Sequence, residues 1–248
     1  MERRATKQGA AVREEKQAGV FITFEGVDGC GKSTQAAHLV AALKMSGREV
    51  ISLREPGSTR LSEKIRNLLL DPANTEMCAE CELMLYEASR AQLVRQAIEP
   101  ALSSGAIVVC DRFFDSTYAY QAGGRGLAED VVQSANALGS CGHIPDATVL
   151  LDLPVELSYE RVARGRADRM EAAGMSFQQR VRDCYLRLAA SDPGRIRVVD
   201  ASGEPAEVSR RVIAAVLDVL PELASPRLSG EEGPMSAGRG EGDRDRHA

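Results

Sequence analysis

Residues 26–33, Gly-Val-Asp-Gly-Cys-Gly-Lys-Ser, fit the spacing G-x-x-x-x-G-K-[ST], and their flanks restrict what the chain can fold into. Val20 to Phe24 ahead of them is short, apolar and rich in β-branched and aromatic residues, which reads as a buried strand. Behind them Ala36, Leu39, Val40 and Leu43 recur at helical spacing as far as Lys44. Strand, glycine loop and helix in that order make a phosphate-binding loop, whereas a chance glycine turn would need neither flank. Glycines let successive backbone N–H groups converge on phosphate oxygens where a side chain would block the approach. The helix starting near Lys32 aims its unpaired N–H groups and positive dipole end at the same anion. Lys32 adds a point charge for the outer phosphates, and the Ser33 hydroxyl is of the kind that binds Mg²⁺. Gly26, Val27, Asp28, Gly29, Cys30, Gly31, Lys32, Ser33 and Thr34 are therefore expected to hold a nucleoside triphosphate.

The 248 residues suit one domain with a full core. A net charge of −5 argues against broad nucleic-acid binding but leaves room for a local basic pocket. No apolar run approaches the roughly 20 residues of a membrane span. Met1 to Gln17 is polar and charged without an apolar signal core, so a cytoplasmic protein is expected. Cys30 inside the loop and Cys110 inside an apolar run suit reduced thiols. Cys78 and Cys81 form a lone CxxC. A zinc site would need two more ligands, for which Cys141 and His143 are the candidates; two thiols at a helix start is the simpler reading.

Strands are expected at Val20–Phe24, Val50–Leu53, Ala106–Cys110, Thr148–Leu153 and Ile196–Val199. Helices are expected over Leu61–Leu70, Glu80–Ser104, Leu127–Leu138, Val155–Val162, Phe177–Ala190 and Glu204–Leu220, with Pro100 kinking or restarting the second of these. Such alternation gives an α/β fold: a mostly parallel five-stranded sheet with helices on both faces. Residues 1–18 and 223–248 are charged or Gly-, Arg-, Glu- and Ser-rich, and are expected to be disordered around one domain over 19–222.

Candidate chemistry gathers at expected strand ends, where open α/β sheets bind ligands. Arg54-Glu55 follows the second strand, with a plain surface ion pair as the alternative. Asp111-Arg112 follows the third, and a carboxylate at such a tip can hold Mg²⁺ directly or through water. Asp115 to Gly126 is polar, aromatic and glycine-bearing, which suits a binding segment more than a core helix. Tyr86 and Arg90 share a helix face, where a core aromatic beside a packed Arg stem is the alternative. Arg164, Arg166 and Arg169 follow Arg161 around Gly165. They make either a solvated basic face or a flexible loop that brings charge to a phosphoryl group, and the phosphate loop favours the second. No guanine-reading N-K-x-D is present, which argues against a regulatory GTPase, and helicases or transport ATPases are normally larger. A small-molecule kinase fits, and a nucleotide-responsive binding protein that has lost turnover is the alternative outside that class.

Phe24-Glu25-Gly26-Val27-Asp28-Gly29-Cys30-Gly31-Lys32-Ser33-Thr34-Gln35, Arg54-Glu55-Pro56-Gly57, Asp111-Arg112-Phe113, Ser116-Thr117-Tyr118-Ala119-Tyr120-Gln121 and Pro145-Asp146 together resemble the thymidylate kinase family from about residue 20 to about residue 220. The resemblance implies a P-loop NTPase-type fold with an arginine-bearing lid at about 164–176. It implies conversion of dTMP to dTDP with ATP and Mg²⁺, in the service of dTTP synthesis and DNA replication, by a homodimer; from charge and hydropathy, neither nucleic acid nor membrane is an expected partner. In that likeness Lys32 holds ATP phosphates, Asp28 lies near the dTMP sugar and phosphate, and Glu55, Asp111 and Ser33 organise Mg²⁺. Arg112 takes the acceptor phosphate, Arg66 also meets substrate, Tyr86 stacks on thymine and Arg90 bonds its carbonyl. Thr117 and Gln121 read the base, and Tyr120 lies under the deoxyribose. Gly29 stands where some relatives carry Arg, and with Arg164, Arg166 and Arg169 this resembles the bacterial subtype whose lid supplies the catalytic cation. Tyr86 replaces a common Phe and Ser58 a usual Gly; a kinase for another monophosphate such as dUMP is the nearest alternative.

Overall fold

The computed structural model describes residues 18–162, 170 and 174–224. The expected N-terminal extension, most of the C-terminal tail and the lid arginines Arg164, Arg166 and Arg169 lie outside the described residues. The strands are β1 (Val20–Glu25), β2 (Val50–Arg54), β3 (Ile107–Asp111), β4 (Ala147–Asp152) and β5 (Ile196–Asp200). They form one sheet in the order β2-β3-β1-β4-β5, and each neighbouring pair is parallel. The longer helices are α1 (Lys32–Met45), α2 (Arg60–Leu70), α3 (Ala79–Leu93), α6 (Glu129–Gly139), α7 (Val155–Val162), α8 (Met175–Ser191) and α9 (Pro205–Val216). Two short ones, α4 (Glu99–Ser104) and α5 (Phe114–Thr117), complete the set.

A central parallel strand must be apolar on both faces, and β1 is. Phe21 points to one side, joining Leu93, Val94, Ile98, Val108 and Phe113, with the Phe21 and Phe113 rings edge to face at 4.9 Å. Ile22 and Phe24 point to the other, joining Leu39 and Leu43 of α1, Val181 of α8 and Val208 and Val212 of α9. The polar Thr23 between them is buried, and its hydroxyl is satisfied by Thr148 of β4 at 2.8 Å. Register then sets the site: Phe24 and Arg54 both pair with Asp111, so the carboxyl ends of β1, β2 and β3 finish together.

One stretch meets the sequence expectation and one departs from it. The helix expected over Glu80–Ser104 with a kink or restart at Pro100 runs as α3, a π-helical turn at Val94–Ile98, and α4, which restarts with Pro100 in its first turn. Pro100 has no N–H to give the carbonyl four residues back and its ring crowds that carbonyl; a wider turn immediately before it relieves both conflicts. Asp115 to Gly126, expected to be a binding segment rather than a core helix, is helical through α5 and a π-helical turn at Tyr118–Gly124, and Ala119, Tyr120, Gln121 and Gly124 are buried. Its polar groups face a cavity and its small residues face α8, so one helical segment serves as both wall and core.

Candidate active site

The loop after β1 has the backbone its glycines predict. Gly26, Gly29 and Gly31 have φ of 137°, 79° and 103°, a region L side chains disfavour. A Cβ on Gly26 would also stand 2.5 Å from the Leu151 carbonyl oxygen. Lys32 is buried and donates from Nζ to the carbonyls of Val27 at 2.8 Å and Gly26 at 3.1 Å, which holds the loop curled around its own cation. From α7, Ser158 donates to the Asp28 carbonyl and Arg161 reaches the Gly29 carbonyl at 3.5 Å. At the tip of β3 the Ser33 hydroxyl donates to Asp111 Oδ2 at 2.5 Å.

Arg112 follows in a left-handed conformation, φ 72°, unusual for a side chain of that size. Its guanidinium donates to Asp28, to the Gly26 carbonyl at 3.1 Å, to Ser116 at 3.0 Å, to Tyr120 at 3.1 Å and to Tyr185 at 3.3 Å. Asp28 also accepts from Tyr120 at 3.0 Å and from Gln178 Nε2 at 3.0 Å. Burial pushes the Asp28 carboxyl up, but Arg112, Lys32 and these donors more than reverse it and hold it below the usual range. Beneath lies Glu25, fully buried. It accepts from the Phe113 amide at 2.7 Å, the Ser116 hydroxyl at 2.5 Å and the Tyr185 hydroxyl at 2.7 Å. Burial, and then the charge of Asp115, raise its carboxyl.

The far wall comes from α3 and α5. Arg90, 1% exposed, donates Nε to Glu55 at 2.8 Å, Nη1 to Glu87 at 2.5 Å and to Asn136 at 3.0 Å, and Nη2 to Thr117 at 2.6 Å. A guanidinium has five N–H groups. Among the described residues four are engaged, which leaves one on Nη2, and Arg90 lines the cavity between this wall and the loop. Glu55 is pushed up to about 7 by burial despite Arg90, and among the described residues its Oε1 is buried without a partner. Gln121 donates to Glu82 at 2.8 Å, and Glu82 is clasped by Arg125. Arg66 donates to the Pro56 carbonyl at 2.9 Å.

Between loop and wall is a cavity of about 300 Å³, lined by Asp28, Gly29, Lys32, Ser33, Glu55, Arg66, Tyr86, Arg90, Asp111, Arg112, Thr117, Tyr120 and Gln121. A triphosphate-type loop at one end and a closed polar wall at the other suit a donor and an acceptor that meet over Arg112 and Asp111.

A family profile described as "Thymidylate kinase" matches residues 24–212. The chain belongs to the thymidylate kinase family. It is 50% identical over 209 residues to the thymidylate kinase of Trichlorobacter lovleyi, covering 81% of this chain and 98% of that one. With the thymidylate kinase of Desulfosudis oleivorans it shares 47% over 215 residues, covering 84% and 100%. The crystal structure of thymidylate kinase from Ehrlichia chaffeensis superposes with a TM-score of 0.67 at 32% identity, covering 80% of this chain and 99% of that one.

Within this thymidylate kinase fold, every described substrate-side residue expected from sequence lines the one cavity: Asp28, Glu55, Arg66, Tyr86, Arg90, Arg112, Thr117, Tyr120 and Gln121. The alternative Arg54–Glu55 ion pair does not form; Arg54 pairs with Glu63 and Glu55 with Arg90. Ser58 has φ 65°, the conformation for which Gly is the usual residue there, and its hydroxyl compensates by bonding the Arg54 backbone at both N–H and carbonyl. Cys78 and Cys81 are exposed, and among the described residues no group of three or more His, Cys, Asp or Glu is placed to hold a metal. Sequence reasoning gave no site role to Glu25, Glu82, Gln178 or Tyr185, and placed Arg125 only within the binding segment Asp115–Gly126. Glu25 stands in the motif that carries the family resemblance, and Gln178 reaches Asp28 only because α8 folds back over a loop 150 residues earlier.

Proposed function

We propose that this chain transfers the terminal phosphoryl group of ATP to dTMP, giving dTDP, within the cavity between the glycine loop and α3. The family supports the reaction. The observation that carries the site is Arg112, which stands between the phosphate loop and the base-side wall and touches groups of both, Gly26 and Tyr120. Lys32 and the loop N–H groups would bind the donor phosphates, and Arg112 the acceptor phosphate. Tyr86 would stack on the base, and the one unengaged Arg90 N–H would meet its carbonyl. Tyr120 would support the sugar.

Ser33 Oγ and Asp111 Oδ2 are adjacent hard oxygen donors, and Glu55 lines the same cavity, a donor set that fits Mg²⁺. When bound, the ion would neutralise charge shared between the phosphates. A phosphate monoester has its second pKa at about 6, so the acceptor is mostly dianionic at neutral pH and these residues need supply no general base. Their work is alignment and charge neutralisation, to which a lid arginine among Arg164, Arg166 and Arg169 would add. The family resemblance supports a cytoplasmic homodimer. Among the described residues no helix is long and apolar enough to cross a membrane. Leu61, Leu68 and Met84 offer exposed apolar surface on the adjacent helices α2 and α3. The testing experiment is ADP production from Mg·ATP with dTMP, dUMP, UMP, AMP, dCMP, GMP or no acceptor. Turnover largely confined to dTMP is expected; preference for another monophosphate overturns the base assignments.

A further inference from the structure

Gln121 carries an acceptor and a donor at the end of one side chain, so whichever faces the cavity decides what it can read. Glu82 lies one turn before Tyr86 on α3, is 1% exposed, and accepts from Gln121 Nε2 at 2.8 Å. The same carboxylate is held by Arg125, with Nε 3.1 Å from Oε1 and Nη2 3.0 Å from Oε2. Arg125 is itself held in place, its guanidinium over the Phe177 ring at 4.9 Å. A carboxylate clasped by a guanidinium has no hydrogen to give. Turning the Gln121 carbonyl towards it would set two acceptors against each other in a buried place, which is costly. The amide nitrogen is therefore committed to Glu82, and the carbonyl is left for the cavity that Gln121 lines. One helical turn earlier, Thr117 carries the Arg90 Nη2 whose second hydrogen is unengaged. The wall thus offers an acceptor beside a donor.

We propose that Glu82 is a specificity-determining positioning residue: by locking the Gln121 amide it selects a pyrimidine edge with a ring N–H beside a carbonyl, and rejects one with a bare ring nitrogen beside an amino group. Thymine and uracil have the first edge. Cytosine has the second, and it would oppose acceptor to acceptor at Gln121 and donor to donor at Arg90. The inference rests on the proposed function, in which the base lies against Gln121. It adds that the selectivity is set from behind, by a residue that does not touch substrate.

The test is kcat/KM for dTMP and dCMP, with KM for ATP, in the full chain and in Glu82→Gln, Glu82→Met and Gln121→Ala. In Glu82→Gln the new amide accepts either face of Gln121, so the dTMP-to-dCMP ratio should fall ten- to hundredfold, with KM for dTMP rising, KM for dCMP falling and KM for ATP unchanged. Glu82→Met removes the lock without offering a donor and should shift the ratio in the same direction; it serves if the first variant does not fold. Loss of both acceptors in equal proportion, with the ratio kept, overturns the role of Glu82. A wild-type ratio in Gln121→Ala shows instead that the base is not read there, and the underlying site assignment fails. A collapsed ratio in Gln121→Ala with an intact one in both Glu82 variants overturns the lock alone.

Discussion

A left-handed Arg112 is strained, and such strain persists only where surrounding groups over-determine it. Glu25 is the residue that does so. It takes the amide of Phe113, immediately after the strained position, and also the Ser116 and Tyr185 hydroxyls, both of which bond Arg112 Nη1. Backbone and side chain of Arg112 are therefore set by one buried carboxylate. Glu25→Gln keeps the volume but turns one acceptor into a donor facing donors. It should cost about 1–3 kcal/mol of stability. It should also weaken dTMP binding about tenfold in calorimetry while ATP affinity stays within about twofold, because the change falls on Arg112 and not on the loop. Equal weakening of both nucleotides would mean that Glu25 supports the domain generally. Lys32 gives the opposite pattern. Removing its cation in Lys32→Ala should lower kcat by at least about 10²–10³-fold with dTMP affinity nearly unchanged, and near-normal kcat would sink the phosphoryl-transfer scheme.

The segment Phe114–Gly124 shows at the scale of an element what could and could not be read from sequence. Strands were legible because a doubly covered parallel sheet demands continuous apolar runs, and Ile107 to Cys110 is 0% exposed throughout. The loop after β1 was legible because its spacing answers directly to phosphate geometry. The helical nature of 114–124 was hidden because its polar groups and glycines are explained only by a partner far along the chain. A Cβ on Gly123 would stand 2.5 Å from Cys184 Cβ, and one on Gly124 2.5 Å from Phe177 Cε2. These glycines are small so that α8 can lie close, which brings Tyr185 and Gln178 onto the site. The same dependence on long-range packing hid the roles of Glu25 and Glu82, and with Glu82 the partner of Arg125. An exposed helical Gly changed to Ala usually gains up to about 1 kcal/mol. Gly124→Ala should instead lose about 1–3 kcal/mol, lowering the melting temperature by a few degrees, because Phe177 must move. A raised melting temperature would show that the two helices are not in close contact.

For the whole molecule, the unliganded site buries several carboxyls beside its arginines, and their titration should shape stability across the pH range. Glu55 and Glu87 share Arg90, and among the described residues Glu55 Oε1 and Glu87 Oε2 are buried without partners. Burial raises the Glu55 carboxyl from 4.5 to about 7, and Glu25 moves in the same direction. For a carboxyl raised in the folded state, the favourable contribution is complete below the unfolded value. It is lost as pH rises through the folded one, because folding then requires either a buried charge or the uptake of a proton. Asp28 has the opposite sign: held low by Arg112 and Lys32 against the upward push of burial, it stabilises above its unfolded value of 3.8 and fails only in acid. The two tendencies together place maximum stability of the ligand-free protein on the acid side of neutrality, with a decline from pH 4.5 to about 7. The Glu55 contribution over that interval is roughly 3 kcal/mol, because each tenfold gain in proton affinity on folding is worth about 1.4 kcal/mol. At about 2–4 °C per kcal/mol for a domain of this size, that amounts to several degrees in a melting curve. Glu55→Gln, which stays neutral at every pH, should flatten the decline and leave the acid limb where it was. Thermal melts of wild type and variant between pH 4 and pH 9, without nucleotide or Mg²⁺, measure both limbs. An unchanged neutral-side slope in the variant would show that Glu55 enters the fold already charged, and that the Arg90 cluster is better solvated than its burial implies.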